Sequence, residues 1–124
     1  MRTSILIIFC FLATLPGAIS QSDKTDIYVS PVGSDANPGT MELPLLTLKG
    51  ARDHVRQIKA LARGDVNVWF RRGEYFLNET VVFSLEDSGN DDLAITYSAY
   101  PGEKPVFSSG KEIKGWEKVN NDLH

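Results

Sequence analysis

The side chains of this 124-residue sequence best suited to chemistry are its carboxylates. Glu86, Asp87, Asp91 and Asp92 crowd one short stretch, and Asp35 stands two residues before Asn37 in a segment rich in proline and glycine. Acids placed together can share general acid and base work or hold a hard cation. Calcium wants about six to eight oxygens, and neither group has the glycine and distal bidentate acid of an EF-hand loop. No metal site is assigned. Acids in turns ordinarily accept backbone N–H bonds and face water, which accounts for all of these. His54 falls on the polar side of an expected helix and His124 ends the chain, so neither has a neighbour for zinc or nucleophilic chemistry. No catalytic, cofactor-binding or metal residue is assigned.

The elements that would position these residues follow from hydrophobic period. Residues 26–30 alternate polar and apolar with β-branched and aromatic side chains, which predicts a strand. Residues 31–44 are dense in Pro, Gly, Asn and Asp and predict an ordered loop. Thr47 can cap a helix over 47–62, in which Leu48, Ala51, Val55, Ile58, Leu61 and Ala62 recur at steps of three and four. Gly64 ends it. The grammar then changes to short β runs at 66–70, 75–77, 81–83, 94–97, 106–107 and 113–116, separated by turn signals. Such spacing suits a sandwich or the coils of a β-solenoid.

The first twenty residues are of another kind. Arg2 precedes an uncharged apolar stretch from Ile5 to Leu15, Pro16 and Gly17 break it, and Ala18-Ile19-Ser20 offers small residues at the positions a signal peptidase reads. The run is shorter than the roughly 20 residues needed to span a bilayer. It reads as a signal peptide over 1–20, cut between Ser20 and Gln21, with a product that is secreted or periplasmic and leaves the membrane after cleavage. The one cysteine, Cys10, lies inside that leader, so the remainder over 21–124 has no disulfide and must be stabilised by burial. Losing Arg2 makes the mature chain slightly more acidic than the net −3 of the whole. Its only basic clusters, Arg71-Arg72 and the scattered Lys104, Lys111, Lys114 and Lys118, form no stripe suited to nucleic acid.

Particular residues sharpen the choice of fold. The run Tyr28-Val29-Ser30-Pro31, Gly33, Asp35, Asn37-Pro38-Gly39-Thr40 and Pro44 resembles the opening of secreted right-handed parallel β-helix proteins of the pectate-lyase-like superfamily. The resemblance continues through Thr47-Leu48, Ala51-Arg52-Asp53, Arg72-Gly73-Glu74-Tyr75, Glu86-Asp87-Ser88-Gly89, Ile95-Thr96-Tyr97, Ala99-Tyr100-Pro101-Gly102-Glu103, Pro105 and Lys114-Gly115-Trp116. The combination is more similar to the β-helix glycoside hydrolases than to the pectate lyases.

The resemblance implies an all-β fold with one capping helix, the start of a parallel β-helix, in which Val55, Ile58 and Leu61 would cover the open first coil. It implies a carbohydrate-active enzyme, a glycoside hydrolase acting on extracellular polysaccharide. Hydrolysis there uses two carboxyl groups, about 5 Å apart for retention or 6.5 to 9.5 Å for inversion. In this family the groove follows later coils, so the acids near the cap are poor candidates and catalysis is expected beyond His124. The alternatives are a polysaccharide lyase or a non-catalytic β-helix module that binds or displays carbohydrate. Arg71-Arg72 could meet an anionic sugar, although charges at a strand end more often protect an edge. Asn78-Glu79-Thr80 is a sequon, so Asn78 is a possible glycosylation site in a host that modifies secreted proteins. Near the end, residues 116–119 read as a strand entering a further coil, and 120–124 offer no terminating helix or cap. With fewer than the roughly three coils a solenoid needs, the sequence is expected to be the N-terminal piece of a longer protein.

Overall fold

The computed structural model describes residues 24–110, 113–115 and 117. The expected leader with its cut at Ser20, and the tail that includes Trp116, lie outside them. Strand β1 (Thr25–Val29) is followed by helix α1 (Leu48–Ile58), β2 (Val66–Phe70), β3 (Gly73–Phe76), a single 3-10 turn (Leu85–Asp87), β4 (Ile95–Ala99) and β5 (Pro105–Ser108).

All pairing between these strands is parallel. The first sheet has the order β1-β2-β4, with Ile27 opposite Val68 and Val68 opposite Tyr97. The second pairs β3 with β5, with Gly73 opposite Pro105. The chain therefore repeats one path: a strand in the first sheet, a short corner, then a strand in the second. β4 and β5 stack in register on β2 and β3. Period-2 alternation decides which side chains go inside. Ile27, Val29, Val66, Val68 and Phe70 are buried, and Tyr28, Asn67 and Trp69 between them face outward.

The edge of β1 away from β2 is not left open. The loop over 31–44 turns back along it, so that Tyr28 N donates to Gly39 O (2.7 Å), Leu45 N to Tyr28 O (2.9 Å) and Ser30 N to Leu45 O (2.8 Å). Pairing of this kind removes the hazard of an exposed strand edge. Gly39 enters the turn with φ +79, and a Cβ there would meet Ile27 Cγ2 at 2.9 Å. Gly73 starts β3 at φ +139 with Pro31 Cγ only 2.5 Å from where a Cβ would stand. Side chains are costly in that region of φ, and at both places the space is also taken.

Helix α1 lays Ala51 and Val55 on the same core as Leu45, Tyr75 and Leu93, with Leu48, Ile58 and Ala62 packed against its margin. Its start is held by Thr47, whose Oγ1 accepts from Gly50 N at 2.8 Å. The helix is shorter than its apolar period suggests. After Ile58 the chain tightens into turns, with Leu61 N and Ala62 N both donating to Ile58 O, and Leu61 is turned out to 84% exposure instead of covering the core.

Two expected strands are absent among the described residues. At 81–83 the Val82 carbonyl accepts from Arg52 Nη1 (2.7 Å) in place of a neighbouring strand, while Phe83 packs edge-on to Tyr97. Residues 113–115 of the expected strand over 113–116 are not in a strand, and Ile113 is exposed, while Trp116 lies outside the described residues. β-propensity without an adjacent edge to pair with does not make a strand. No helix among the described residues is long and apolar enough to cross a membrane.

Candidate functional site

Two surfaces gather polar and aromatic side chains. The first is an open groove of about 840 Å³ between α1, the loop before it and β3. Asp35, Lys49, Asp53, His54, Glu74 and Asn78 are among the residues that line it. His54 is half-buried in this wall, not on a fully solvated face. Several of the charges are already engaged: Lys49 Nζ meets Glu79 at 3.0 Å, and Asp53 Oδ1 accepts from Arg52 Nε and Nη2 at 2.9 and 2.7 Å.

The second surface is the outer face of the first sheet. Tyr28 on β1 stands opposite Trp69 on β2, and Tyr100, just past β4, completes a cluster with ring centroids 6.0 Å from Tyr28 and 6.2 Å from Trp69. Beside this aromatic row runs a polar one, because Asp26, Asn67 and Thr96 share the neighbouring register. Asp26 Oδ1 accepts from Trp69 Nε1 (2.9 Å) and Asn67 Nδ2 (3.0 Å), which fixes the indole plane. The Arg71 guanidinium lies 4.7 Å from the Tyr100 ring centre and forks onto Glu103. That pairing raises the Arg71 pKa and holds Glu103 down to about 2, with help from the Arg72 N–H. Burial, and next the charge of Asp26, raise the Tyr28 phenol.

The acids singled out by sequence do not converge. Asp35 accepts from Leu46 N and Thr47 N, both at 2.9 Å, and from Thr47 Oγ1 at 2.6 Å, so it is committed to the helix start. Asn37 Nδ2 donates to Pro44 O. Asp87 is buried, accepts from Arg56 Nε and Nη2 at 2.6 and 2.7 Å, and closes a capping box with Ser84. The Arg56 bond draws its carboxyl well below the usual range. Glu86 lies 3.6 Å from Arg56, and Asp91 and Asp92 are exposed. Among the described residues no three His, Cys, Asp or Glu side chains come together as metal ligands. Arg71 is a partner of Glu103 across the stack, and only Arg72 is exposed. Asn78 is exposed just after β3, and His124 lies outside the described residues.

Sequence reasoning missed the aromatic row. The signal was present in strand parity: with Ile27 and Val29, and Val68 and Phe70, assigned to the core, Tyr28 and Trp69 must face the other way.

Comparison with known proteins places this geometry in a class. The chain is 34% identical over 106 residues to the uncharacterized protein YwoF of Bacillus subtilis, covering 86% of this chain and 20% of that protein. It is 31% identical over 108 residues to pectate lyase PEL9 of Emericella nidulans, covering 87% of this chain and 23% of the lyase. The chain thus spans about a fifth of the length of these curated relatives. A solved structure described as a glycoside hydrolase superposes with a TM-score of 0.72 at 34% identity, over 77% of this chain and 17% of that one. No family model matches. The stacked parallel strands under one helix are therefore similar to a segment of carbohydrate-active enzymes, among them a glycoside hydrolase and a pectate lyase.

Proposed function

We propose that this chain forms the helix-capped opening of a right-handed parallel β-helix in a secreted glycoside hydrolase acting on extracellular polysaccharide. The observation that carries the reading is the register: β4 on β2 and β5 on β3 repeat one strand-corner-strand path, and that path superposes on a glycoside hydrolase. A stacked fold of this kind needs its first layer closed, and α1 with the loop over 31–44 does so. The catalytic acids of this reading stand on other coils of the whole protein, a reading supported by the engagement of Asp35 at the helix start, Asp87 in the 3-10 turn and Glu103 at a corner.

A lyase is the second reading, favoured by the identity to pectate lyase PEL9. The two differ in product. Hydrolysis adds water across the glycosidic bond and leaves a new reducing end beside a saturated non-reducing end, whereas β-elimination removes the uronate C5 proton, breaks the C4–O bond and leaves a new reducing end beside an unsaturated, ultraviolet-absorbing non-reducing end. The test is to incubate the secreted protein that carries this segment with neutral and uronate polysaccharides and follow both signals. Reducing ends without ultraviolet absorbance support the hydrolase; absorbance supports the lyase; neither signal overturns both. Export is checked by N-terminal sequencing, for which the reading expects Gln21.

A further inference from the structure

We propose that the outer face of the first sheet is a binding surface for a neutral polysaccharide chain, with sugar rings against Trp69 and Tyr100 and hydroxyls directed to Asp26. The inference deepens the carbohydrate-active reading above and rests on it. It concerns a surface on the opposite side of β1 and β2 from the core.

The face is built as two parallel rows that cross the strands. Strands lie about 4.8 Å apart, so side chains in register repeat at that interval along the stack. One row is Tyr28 and Trp69 with Ser98 in the same register and Tyr100 just beyond; the other is Asp26, Asn67 and Thr96. A pyranose ring presents the same two chemistries side by side. Its axial C–H bonds form an apolar face that suits the electron-rich face of an aromatic ring, and its rim carries hydroxyls that need donors and acceptors. An extended glycan running across the strands would meet rings on one side and carboxylate, amide and hydroxyl groups on the other.

Three features make the surface fit for a ligand. Tyr28, Trp69 and Tyr100 are each half-buried, so their rings are held but not covered. The indole is oriented by its Asp26 bond, and the phenol of Tyr100 by the guanidinium above it. Both donors to Asp26 reach Oδ1, which leaves Oδ2 as an acceptor among the described hydrogen bonds.

Charge then selects the occupant. Arg71 is matched by Glu103 through two hydrogen bonds and offers no net attraction to an acid. Asp26 is met by two neutral donors, so its charge is uncompensated by any described ion pair. A uronate polymer would bring a carboxylate towards that exposed charge, and like charges repel. The surface therefore fits xylan-like or glucan-like chains and disfavours polygalacturonate.

The test uses the full chain in native gels containing soluble arabinoxylan, mixed-linkage β-glucan or polygalacturonate. Retardation by at least one neutral polymer and not by polygalacturonate is expected. Trp69→Ala and Tyr100→Ala should each weaken the association constant about threefold to tenfold, the range of one aromatic contact, while Tyr100→Phe keeps it. Asp26→Asn should admit polygalacturonate. Tyr100 lies outside the strands, so Tyr100→Ala with an unchanged circular dichroism melt keeps the result readable if Trp69→Ala does not fold. Retardation absent with every neutral polymer, undiminished in Tyr100→Ala, or stronger with polygalacturonate overturns the inference. Polysaccharide cleavage by the whole protein without retardation sinks this surface and leaves the enzymatic reading standing. Retardation of this chain with no cleavage by the whole protein supports the surface and sinks the hydrolase.

Discussion

Arg71 and Glu103 occupy equivalent corners of successive layers, Arg71 after β2 and Glu103 after β4, and they bind each other through a two-pronged contact of 2.9 and 3.0 Å. Glu103 also accepts from the Arg72 N–H at 2.6 Å, so one carboxylate joins the two corners by side chain and backbone together.

This contact has a pH signature. Glu103 is held down to about 2 from an ordinary 4.5, first by the Arg71 bond and then by the Arg72 N–H. A depressed carboxyl contributes stability that is complete above its unfolded value and lost as pH falls through its folded one. Stability should be level above about 4.5 and decline from there towards about 2. Glu103→Gln should be less stable at neutral pH and lose less on acidification through that window. Thermal melts at intervals of pH decide it; an unchanged acid slope in Glu103→Gln would show that the corner contact carries no linkage.

Asp35, Thr47 and Gly50 form a relay at the start of α1: the Asp35 carboxylate accepts from Thr47 Oγ1, which itself accepts from Gly50 N. Loss of a helix cap costs about 0.5–2 kcal/mol. Thr47→Ala should fall in that range, and Thr47→Ser should recover most of it. Gly50 adds a sharper expectation. Alanine in a helix is ordinarily better than glycine by about 1 kcal/mol, yet a Cβ at 50 would strike the Asp35 carboxylate. Gly50→Ala should destabilise, as read by urea unfolding, and a gain in stability would contradict the relay.

Leu45 joins the loop, β1 and the helix-covered core at 1% exposure. Truncating a fully buried leucine to alanine costs about 2–5 kcal/mol, by lost transfer energy and by the cavity left behind. Leu45→Ala should fall in that range in chemical denaturation, whereas Leu61→Ala, at an exposed position, should change little. Equal losses at the two sites would restore Leu61 to the core.

The sequence of elements was legible where local pattern and tertiary demand agree. β2 occupies the expected 66–70, because Val66, Val68 and Phe70 alternate cleanly and both neighbouring edges are available to pair. The loop over 31–44 was recognisable from its proline and glycine, but not its use, since nothing local says that Gly39 and Leu45 will bond Tyr28. Residues 81–83 have the composition of a strand without an edge to join, and Leu61 keeps the helical period past the point where the helix tightens. Arg71 with Glu103 and Arg56 with Asp87 join residues far apart in sequence, where periodicity is silent and only the stacking register brings them together. The aromatic row lies between these cases: strand parity held an unread signal for Tyr28 and Trp69 on one face, while Tyr100 joins them only through the pairing of β4 with β2.

Arg56 on α1 and Asp87 in the 3-10 turn tie the helix to the segment that leads into β4, and the Asp87 side chain is only 4% exposed. Arg56 is the first cause of the low Asp87 pKa, and the Ser84 N–H supports it. Removing Arg56 alone leaves a buried carboxylate with reduced compensation, which is worse than removing both charges. Arg56→Leu should therefore destabilise the chain and move the Asp87 carboxyl upward, whereas Arg56→Leu with Asp87→Asn should recover part of the loss, because the amide can still accept from Ser84 N. The charge of Asp87 also supports the raised Tyr97 phenol, which burial in the first place pushes up to about 12. In the Asp87→Asn variants that phenol should titrate lower, a shift readable by ultraviolet difference spectra without reference to stability. A double-mutant cycle gives the coupling directly. Strictly additive losses, with no recovery in the double variant, would mean that the two side chains stabilise the helix and the turn independently.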